Sequence, residues 1–409
     1  MRYVVIGSSA AGVNGVKELR RLDPASEITL ISRDTAIYSR CILHQYLSGE
    51  RTRERLNFAG PNFSRTYAVK WMKGRDCTAV KPSEHVVVLD GGEEVPYDKL
   101  LIATGSHTFY PPIKNLDGAR NMVGFRNIED IDVLKQVARV CKNIVVMGSG
   151  LVGIDCTVGF LELGVQVTMI DFAGWLLNRQ LDQRAARTYQ DLFARRGVKQ
   201  HFGVGMSEAV LDQRGNITQC VLSDGTRLPC DFLVMTAGVR ANVEFLEGSG
   251  VEVSRFGLVF DETGRTSDPD IYGAGDVSGL SPIWPVAVKE GIIAASNMAG
   301  VPRQMTDFFA SKSTMNFLGV PSLSLGSVEP EDDSYTVEVR ETPGTYKKVI
   351  HKDGRITGAI LQGDLAYSGI LQQLIARKID VSKVKKPIFD VDYSDFFHMA
   401  DNFEFYYDA

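Results

Sequence analysis

The residues whose types and spacing point most clearly to chemistry are a run of glycines and an aspartate near the middle of the chain. Residues 148–153 read GSGLVG, which matches the pattern G-x-G-x-x-G in full, and Asp171 follows 21 residues after Gly150. Glycines in this pattern let the backbone approach a pyrophosphate, and the acid accepts hydrogen bonds from a ribose hydroxyl. No Lys or Arg occurs in the seven residues after Asp171, so the pattern predicts an NAD(H) site in preference to an NADP(H) site.

A related but less regular motif opens the chain. The apolar run at residues 3–6 leads into GSSAAG at residues 7–12, where Ser9 holds the position of the middle glycine. Apolar residues then recur at helical spacing, which predicts a strand, a tight turn and a helix. Such a turn brings backbone N–H groups and a helix N-terminus up to a pyrophosphate. We expect the loop to do this through its backbone despite Ser9.

Polar residues after later strands are candidates for the remaining contacts of this first site. The acid that would hold a ribose hydroxyl is expected at the end of the strand at residues 27–31, where a serine stands, and Asp34 takes its place two residues later. Arg40 is a candidate for contact with a phosphate or a ring edge. The run IYGAGDV at residues 271–277 ends a strand in glycines and an acid. Its Asp276 is expected to accept a hydrogen bond from a sugar-chain hydroxyl, while the helix that follows points its N-terminus at the pyrophosphate.

Alternating strands and helices must position these motifs. The pattern predicts strands at residues 143–147 and 165–170, a helix at 129–140, and strands that end in glycines at 100–107 and 230–245. From about Asp307 it changes to antiparallel strands within 345–364, with a turn at Asp353-Gly354, and a helix at 368–377. The tail at 390–409 is acidic and aromatic. Two interpretations of the tail stay open: docking against a partner subunit, or folding back on its own domain.

Composition excludes several classes of protein. The 409 residues are 44% apolar and 23% charged, with a net charge of −5, which is ordinary for two or three globular domains and unlike a nucleic-acid binder. The most apolar long stretch, at residues 144–164, contains two acids and five glycines, so no membrane span is expected. The four apolar residues after Met1-Arg2 are too few for a secretory signal, so no such signal is expected, and a cytoplasmic protein is expected. The six cysteines form no C-x-x-C pair, so no metal or iron–sulfur site is predicted, and electron transfer would need an organic cofactor or a partner's centre.

The motifs occur in an order that resembles the FAD- and NAD(P)-dependent pyridine nucleotide oxidoreductases. They are GSSAAG, YDKLLIATGS, GSGLVG with Asp171, TAGVRAN and TSDPDIYGAGD, and they cover the chain to about Gly300. Within that family the chain is similar to the rubredoxin reductase and nitrite reductase flavoprotein branch. It looks most like the FAD subunits of anaerobic electron-transfer complexes, such as phenylglyoxylate dehydrogenase and tungsten aldehyde oxidoreductase. The segments YSRC, NRQLD and KSTMNFLGVPSLSLG carry this finer placement.

The resemblance implies an α/β fold with two Rossmann-like, glutathione-reductase-type nucleotide-binding domains and a C-terminal α+β domain. It implies an FAD-binding domain in two pieces, 1–112 and 243–305, an NAD-binding domain at 113–242, and an interface domain at 306–409. The residues assigned to FAD are Gly7, Ser9, Ala11, Gly12, Asp34, Arg40, Ala103, Thr104, Gly105, Gly275, Asp276 and Trp284. The residues assigned to NAD(H) are Gly148, Gly150, Leu151, Val152, Gly153, Asp171 and Gly238. The family often has Glu beside the nicotinamide where Asp155 stands.

Three hypotheses of function follow. The first is an oxidoreductase that moves electrons through FAD between NAD(H) and an iron–sulfur partner. That partner is a rubredoxin, a ferredoxin or another iron–sulfur protein, or a subunit of a larger complex that reduces NAD. The flavin carries this chemistry, so no catalytic side chain is needed. The second is an NADH oxidase, or a peroxide or coenzyme A disulfide reductase, that works through Cys41, with Arg40 and His44 as permissive neighbours. An unreactive, buried Cys41 is the alternative. The third is a redox-sensing or assembly flavoprotein without significant turnover. The implied interface domain contacts a partner or a second copy, as in a homo-oligomer.

Overall fold

The computed structural model describes residues 1–280, 282–306 and 312–407. Residue 281, residues 307–311 beside the boundary predicted after 305, and residues 408–409 at the end of the aromatic tail lie outside the described residues. The described α-helices are α1 (Ala10–Leu22), α2 (Leu43–Ser48), α3 (Phe63–Thr66), α4 (Ile128–Val140), α5 (Leu151–Glu162), α6 (Gln183–Arg195), α7 (Trp284–Met298) and α8 (Ser368–Ala376). Within these ranges, no helix has both the length and the apolar character needed to span a membrane.

The strands fall into several sheets. The first strands are β1 (Arg2–Ile6), β2 (Glu27–Ser32), β3 (Val69–Lys73), β4 (Cys77–Lys81), β5 (Val86–Leu89), β6 (Glu94–Pro96), β7 (Lys99–Ile102), β8 (Ser106–Thr108), β9 (Met122–Gly124), β10 (Ile144–Met147), β11 (Val167–Asp171) and β12 (Lys199–Phe202). The later strands are β13 (Met206–Leu211), β14 (Ile217–Leu222), β15 (Arg227–Pro229), β16 (Phe232–Met235), β17 (Val239–Ala241), β18 (Ile271–Gly273), β19 (Ser313–Phe317), β20 (Val320–Gly326), β21 (Thr336–Thr342), β22 (Thr345–Lys352), β23 (Arg355–Gln362), β24 (Phe397–Met399) and β25 (Phe405–Tyr407). The strand, turn and helix expected at the N-terminus are therefore confirmed as β1, its loop and α1.

The first parallel sheet has the strand order β18-β7-β1-β2-β3. At its centre, Val5 of β1 pairs with Leu30 of β2 on one side and with Leu101 of β7 on the other. Helices α1 and α7 pack on one face, and the small sheet β4-β5-β6 packs on the opposite face. Both faces are therefore covered, which explains why these strands read as unbroken apolar runs.

The second parallel sheet repeats this plan, with the order β12-β11-β10-β16-β9. Val146 of β10 faces a core shared with α4, α5 and α6, whereas Val145 faces the small sheet β13-β14-β15. The two sheets thus have the same three-layer arrangement of helices, parallel strands and antiparallel strands. This confirms the α/β class predicted for the nucleotide-binding part of the chain.

The chain crosses between the two parallel sheets in both directions. Strand β8 pairs with β17 in an antiparallel ladder in which Ser106 faces Ala241, so the two crossings lie side by side. Strand β18 then rejoins the first sheet at its edge, where Ile271 pairs with Leu100 of β7. The second sheet is thereby inserted within the first. The boundaries at 112, 242 and 305 stay predictions.

A third, antiparallel sheet, β19-β20-β23-β22-β21, forms the α+β C-terminal part with α8 on one face. Its other face packs against the region that starts α6. There the Tyr346 hydroxyl donates to Oδ2 of Asp182 at 2.6 Å, and Nζ of Lys348 lies 3.0 Å from the same oxygen. Both charged residues are only 5% exposed. A buried ion pair therefore joins the C-terminal sheet to the second half of the molecule.

The tail forms a short hairpin, β24 paired with β25, whose rings remain exposed. Phe397 stacks on Phe405 with ring centroids 5.0 Å apart, yet Phe405 is 65% exposed and Phe403 is 76% exposed. The first part of the tail packs on its own domain, where Val391 and Phe396 are buried in the core beside α8, whereas the rings of the hairpin stay exposed. The start of the tail therefore folds back on its own domain, while the apolar surface of the hairpin stays accessible.

Candidate functional site

A cavity of about 1340 Å³ lies at the carboxyl ends of the strands of the first sheet. Its wall includes the loops at residues 7–11, 103–107 and 274–276, which follow β1, β7 and β18. Helix α5 contributes Leu151, Val152 and Asp155, and the C-terminal sheet contributes residues 312–318. Ligands in open α/β sheets bind in the crevice outside the carboxyl ends of the strands. The cavity is therefore the candidate site, and the three parts of the chain share it.

The two glycine motifs form turns of the same geometry. Gly7 and Gly148 both have φ of +113°, where a side chain would be strained. An added Cβ would lie 2.0 Å from the Ala103 carbonyl oxygen at Gly7 and 2.5 Å from the Thr236 carbonyl oxygen at Gly148. At Gly12 it would lie 1.8 Å from its own turn's Gly7 oxygen. The first motif is thus a dinucleotide-type turn in its backbone, although its sequence departs from the pattern.

Ser9 departs from the pattern at the one position where the turn accepts a side chain. In the complete motif, an added Cβ at the corresponding Gly150 meets nothing within 4 Å. The φ angles of Ser9 and Gly150 are −100° and −74°, which any residue adopts. The Ser9 side chain makes no capping hydrogen bond to α1. The middle glycine is therefore not required by this backbone, and Ser9 leaves the turn intact.

Ser8 carries an unpaired hydroxyl at the mouth of this turn. Its Oγ is buried and has no hydrogen-bond partner among the described residues, and Ser8 lines the cavity beside the N-terminus of α1. A buried polar atom without a partner costs about 1–3 kcal/mol, so this hydroxyl needs a hydrogen-bond partner from outside the protein, either a ligand or an ordered water. A phosphate oxygen can accept from this hydroxyl and from the free N–H groups of the helix. The residues present fit an anionic pyrophosphate.

Asp34 is held in the cavity wall by two neighbours. Nη2 of Arg40 lies 2.8 Å from its Oδ2, and the Tyr38 hydroxyl donates to its Oδ1 at 3.2 Å. Ser32, at the position where an acid was expected, donates from Oγ to the Asp34 carbonyl and accepts from Nε1 of Trp71. The hydroxyl of Ser32 is thus committed to the fold. The Asp34 carboxylate is the acid that reaches the cavity.

Arg126 is a residue of the site that no sequence motif identified. Its Nη2 lies 2.6 Å from Oδ2 of Asp276 and donates to Oγ of Ser106 at 2.7 Å. The local sequence shows only the capping box of α4, formed by Asn127 and Asp130. Nothing in that pattern directs the arginine to an acid 150 residues later. The ion pair places a positive group beside the carboxylate expected to meet a sugar chain.

Glu290 of α7 is a second residue that the sequence did not single out. It accepts the Gly275 N–H at 2.7 Å, which fixes the loop that ends β18. Burial raises the pKa of Glu290 to about 7, and the nearby Asp276 acts in the same direction. Trp284, at the start of the same helix, lines the cavity and packs edge-on against Phe58, with ring centroids 4.8 Å apart. Trp284 therefore both packs against a neighbouring aromatic ring and contacts the cavity.

The cavity contains most residues assigned to FAD and few of those assigned to NAD(H). Those lining it are Gly7, Ser9, Ala11, Asp34, Arg40, Ala103, Thr104, Gly105, Gly275, Asp276 and Trp284, whereas Gly12 lies under its own loop. Leu151 and Val152 line it from the second motif, but Gly148, Gly150, Gly153, Asp171 and Gly238 do not. Asp171 instead accepts hydrogen bonds from the N–H and Oγ of Ser149, at 2.6 and 2.7 Å. The binding roles of all these residues remain predictions.

Cys41 lines the cavity and is exposed, so the expectation that it is buried is wrong. Desolvation of the thiol by the cavity wall, together with the charges of Asp155 and Asp276, raises its pKa to about 11. Reactive cysteines have lowered pKa values because the thiolate is the nucleophile. At neutral pH this thiol is protonated, which does not favour the hypothesis of catalysis through Cys41.

Comparison with known protein families places this architecture. The family model described as pyridine nucleotide-disulphide oxidoreductase matches residues 1–291. The model described as rubredoxin NAD+ reductase C-terminal domain matches residues 312–379. Together they cover the two parallel sheets and most of the antiparallel sheet. The membership and branch expected from the motifs are confirmed.

Similar proteins agree with the family models. The chain is 28% identical over 404 residues to the assimilatory nitrate reductase electron transfer subunit of Bacillus subtilis (strain 168), covering 96% of this chain and 51% of that protein. It is 28% identical over 398 residues to the NADH-dependent phenylglyoxylate dehydrogenase subunit epsilon of Aromatoleum evansii, covering 94% and 93%. The chain spans about half the length of several of the curated relatives that it matches.

A solved structure supports the fold. The NAD-dependent persulfide reductase from A. fulgidus has a TM-score of 0.85 and 23% identity, covering 93% of this chain and 77% of that one. The two turns, the shared cavity and the family match lead to one conclusion. The chain belongs to the pyridine nucleotide-disulphide oxidoreductase family and is an NAD(P)H-dependent flavin oxidoreductase whose cofactors are FAD and NAD(H).

Proposed function

We propose that this chain moves electrons between NAD(H) and an iron–sulfur protein or partner subunit, as the flavin subunit of a larger oxidoreductase complex that reduces NAD. One observation carries the proposal: a single cavity is lined by the first glycine turn, by α5 of the second half and by the C-terminal sheet. The matches to an electron transfer subunit and to a dehydrogenase subunit support it. A rubredoxin or a ferredoxin is an alternative acceptor of the same chemistry.

In this proposal the first turn holds FAD and the second holds NAD(H). Ser8, Ser9 and the N-terminus of α1 meet the FAD pyrophosphate, Asp34 meets its ribose, and Asp276 meets its sugar chain, with Arg126 balancing the charge of Asp276. When bound, FAD accepts a hydride from NADH and can release the two electrons singly. The side chains therefore bind, orient and exclude water, and none of them has to react.

The residues of the second turn select the nucleotide. Gly148, Gly150 and Gly153 let the backbone approach the NAD(H) pyrophosphate, and Asp171 accepts from a ribose hydroxyl, which favours NADH over NADPH. We also propose the domain division at 112, 242 and 305, and a cytoplasmic location. All six cysteines are free thiols, as is usual in a reducing compartment.

The proposal is tested with the purified chain under anaerobic conditions. The protein should be yellow or become so with added FAD, and NADH should bleach the flavin band. Adding an oxidised ferredoxin or rubredoxin should then restore the band as the acceptor is reduced. A colourless protein that cannot be reconstituted with FAD would contradict the proposal, as would flavin reduction that no iron–sulfur acceptor reverses.

A disulfide or peroxide acceptor is the matched comparison in the same assay. Restored flavin absorbance with a peroxide or a coenzyme A disulfide, and none with the iron–sulfur proteins, would favour the hypothesis based on Cys41. Reduction by NADH with no acceptor able to reverse it would favour the sensing hypothesis. Isolation of the chain from its native source should yield a partner with iron–sulfur centres.

A further inference from the structure

His44 and Asp155 face each other where the first half of the molecule meets the second. Nδ1 of His44 lies 3.5 Å from Oδ1 of Asp155, and both residues line the cavity. The nitrogen is buried and has no hydrogen-bond partner among the described residues. A shift of about 0.5 Å brings these atoms to hydrogen-bond distance. The two side chains thus form a pair that one proton can bridge.

Tight packing of α2 on α5 fixes this pair. At Gly159 of α5, an added Cβ would lie 2.9 Å from a Leu47 methyl carbon and 3.2 Å from the His44 carbonyl oxygen. Asp155 is one helical turn before Gly159 on the same face of α5. The missing side chain at Gly159 therefore lets α2 approach closely enough for His44 to reach Asp155.

The surroundings of the pair keep it poised near neutral pH. Burial raises the pKa of Asp155 to about 7, and burial lowers the pKa of His44. Other titratable groups lie near the pair. The charge of Glu50 raises the pKa of His44, and the charge of Asp155 raises the pKa of the Cys41 and Cys156 thiols. At Cys41, Asp276 also raises the pKa and Arg126 lowers it. Lys289 and Lys312 also line the cavity wall. With a pKa of about 7, the Asp155 carboxyl takes up and releases its proton in the neutral pH range.

The location of the pair matches a requirement of the proposed function, on which this inference rests. Oxidation of one NADH gives NAD+, two electrons and one proton. If the electrons leave singly to an iron–sulfur acceptor, the proton stays behind in the cavity and must reach solvent. Asp155 lies one turn into α5, after the predicted pyrophosphate turn, and His44 lies on the wall of the FAD half. The nicotinamide and the flavin must meet between these two walls.

We propose that Asp155 and His44 are a proton-exchange site that takes up the proton of each oxidised NADH and passes it to solvent, and that supplies a proton from solvent by the same path when NAD+ is reduced. The proton comes from the C–H bond of NADH that breaks when its hydride passes to FAD, and it is freed when both electrons have left for the acceptor. It then forms an O–H bond on Asp155; that bond breaks as the proton moves to Nδ1 of His44, and the imidazolium releases a proton to water. The His44 side chain is 22% exposed, which opens this path. The nicotinamide ring of NAD+ is cationic and favours the ionised carboxylate, so NAD+ binding expels the proton from Asp155.

The experiment is titration calorimetry of the FAD-loaded protein with NAD+, in buffers of different ionisation enthalpy. At pH 7 the wild type should release about half a proton per NAD+ bound. The NAD+ Kd should fall about tenfold from pH 6 to pH 8, because the carboxyl goes from mostly protonated to mostly ionised. NADH, whose ring is neutral, should show a much smaller change.

Substitutions assign the proton to this pair. Asp155→Asn should abolish both the released proton and the pH dependence of the NAD+ Kd, and Asp155→Glu should restore them. Glu290→Gln removes another carboxyl with a raised pKa, which accepts the Gly275 N–H and is not among the residues that line the cavity, and it should keep the proton release. His44→Gln should keep the proton count but delay the appearance of the proton in a pH-indicator trace during NADH oxidation.

Wild type that binds NAD+ without releasing a proton would overturn the inference, as would an unchanged release in Asp155→Asn or its loss in Glu290→Gln. The binding data are independent of any electron acceptor. Failure to reduce iron–sulfur proteins with normal proton release would therefore contradict the proposed function and leave the proton-exchange site standing. Normal electron transfer to iron–sulfur proteins without proton release on NAD+ binding would contradict the proton-exchange site and leave the proposed function standing.

Discussion

The backbone of the first glycine turn yields a sharp prediction about FAD. In Gly12→Ala the new Cβ would lie 1.8 Å from the Gly7 carbonyl oxygen, whereas ordinary van der Waals contact starts at 3.4 Å. The backbone around Gly7 and Gly12 must therefore move apart by about 1.6 Å, because the Gly7 oxygen is a backbone atom and cannot turn aside like the end of a flexible side chain. Overpacking of this kind costs about 1–3 kcal/mol. Because the turn itself is the pyrophosphate cradle, FAD binding should weaken by about 5–150-fold.

Ser9→Gly is the matched control for this substitution. It lies three residues away in the same turn, its φ of −100° suits any residue, and its side chain makes no capping hydrogen bond. Exchange of serine for glycine at a helix N-cap costs only a few tenths of a kcal/mol. FAD retention should therefore stay within about twofold of the wild type.

The assay is the ratio of flavin to protein absorbance after dialysis, followed by titration of the apoprotein with FAD. Gly12→Ala should lose flavin on dialysis and Ser9→Gly should keep it. If Gly12→Ala retained FAD with the affinity and the thermal unfolding midpoint of the wild type, the assignment of this turn to FAD would be wrong. Equal losses in both variants would show that the helix cap, not the close approach, controls binding.

Three further substitutions test other parts of the molecule. Asp171→Ala should lower the kcat/KM preference for NADH over NADPH by about tenfold, because the ribose hydroxyl loses a charged acceptor; an unchanged ratio would contradict the nucleotide assignment. Cys41→Ser should change the rate of NADH oxidation with an iron–sulfur acceptor by less than about twofold, because a thiol with a pKa of about 11 is protonated at neutral pH. A larger loss of rate would support the hypothesis of a redox-active thiol. Lys348→Met leaves the Asp182 carboxylate buried without its cation and should lower the free energy of urea unfolding by about 3–5 kcal/mol, with Lys348→Arg as the control. A decrease below about 1 kcal/mol would contradict a buried ion pair that stabilises the fold.

The parts of the site that the sequence predicts are those encoded within one turn of chain. Gly7 and Gly148 adopt positive φ because the strand ends there and a helix begins within a few residues, and both signals are local. The antiparallel strands around the Asp353-Gly354 turn are local for the same reason. Conversely, Arg126 and Glu290 reach their partners only through tertiary structure, Arg126 across 150 residues and Glu290 through the packing of α7 on the first sheet. No periodicity in the sequence carries such information.

Ser9 shows that a motif can look incomplete in sequence although the backbone turn that it encodes is intact. Judged by letters, GSSAAG is an incomplete fingerprint; judged by backbone, the glycines that the turn needs, Gly7 and Gly12, are both present. The pattern G-x-G-x-x-G thus combines glycines that the backbone of the turn requires with a middle glycine that it does not require. An added Cβ at Gly150 meets nothing within 4 Å, which shows that this backbone has room for a side chain at the middle position.

The buried contacts of the C-terminal sheet determine which half of the molecule positions the inner end of the cavity. Residues 313–318 of β19 and its turn line the cavity beside α5. Their sheet is tied to the second half by the Lys348–Asp182 pair and by the Tyr189 hydroxyl, which donates to the Val320 carbonyl at 2.6 Å. Asp182 also accepts the Ala185 N–H at 2.8 Å and so caps α6. Any displacement of α6 relative to the first sheet must therefore carry this wall with it. The wall formed by residues 313–318 is thus attached through these contacts to the half predicted to bind NAD(H).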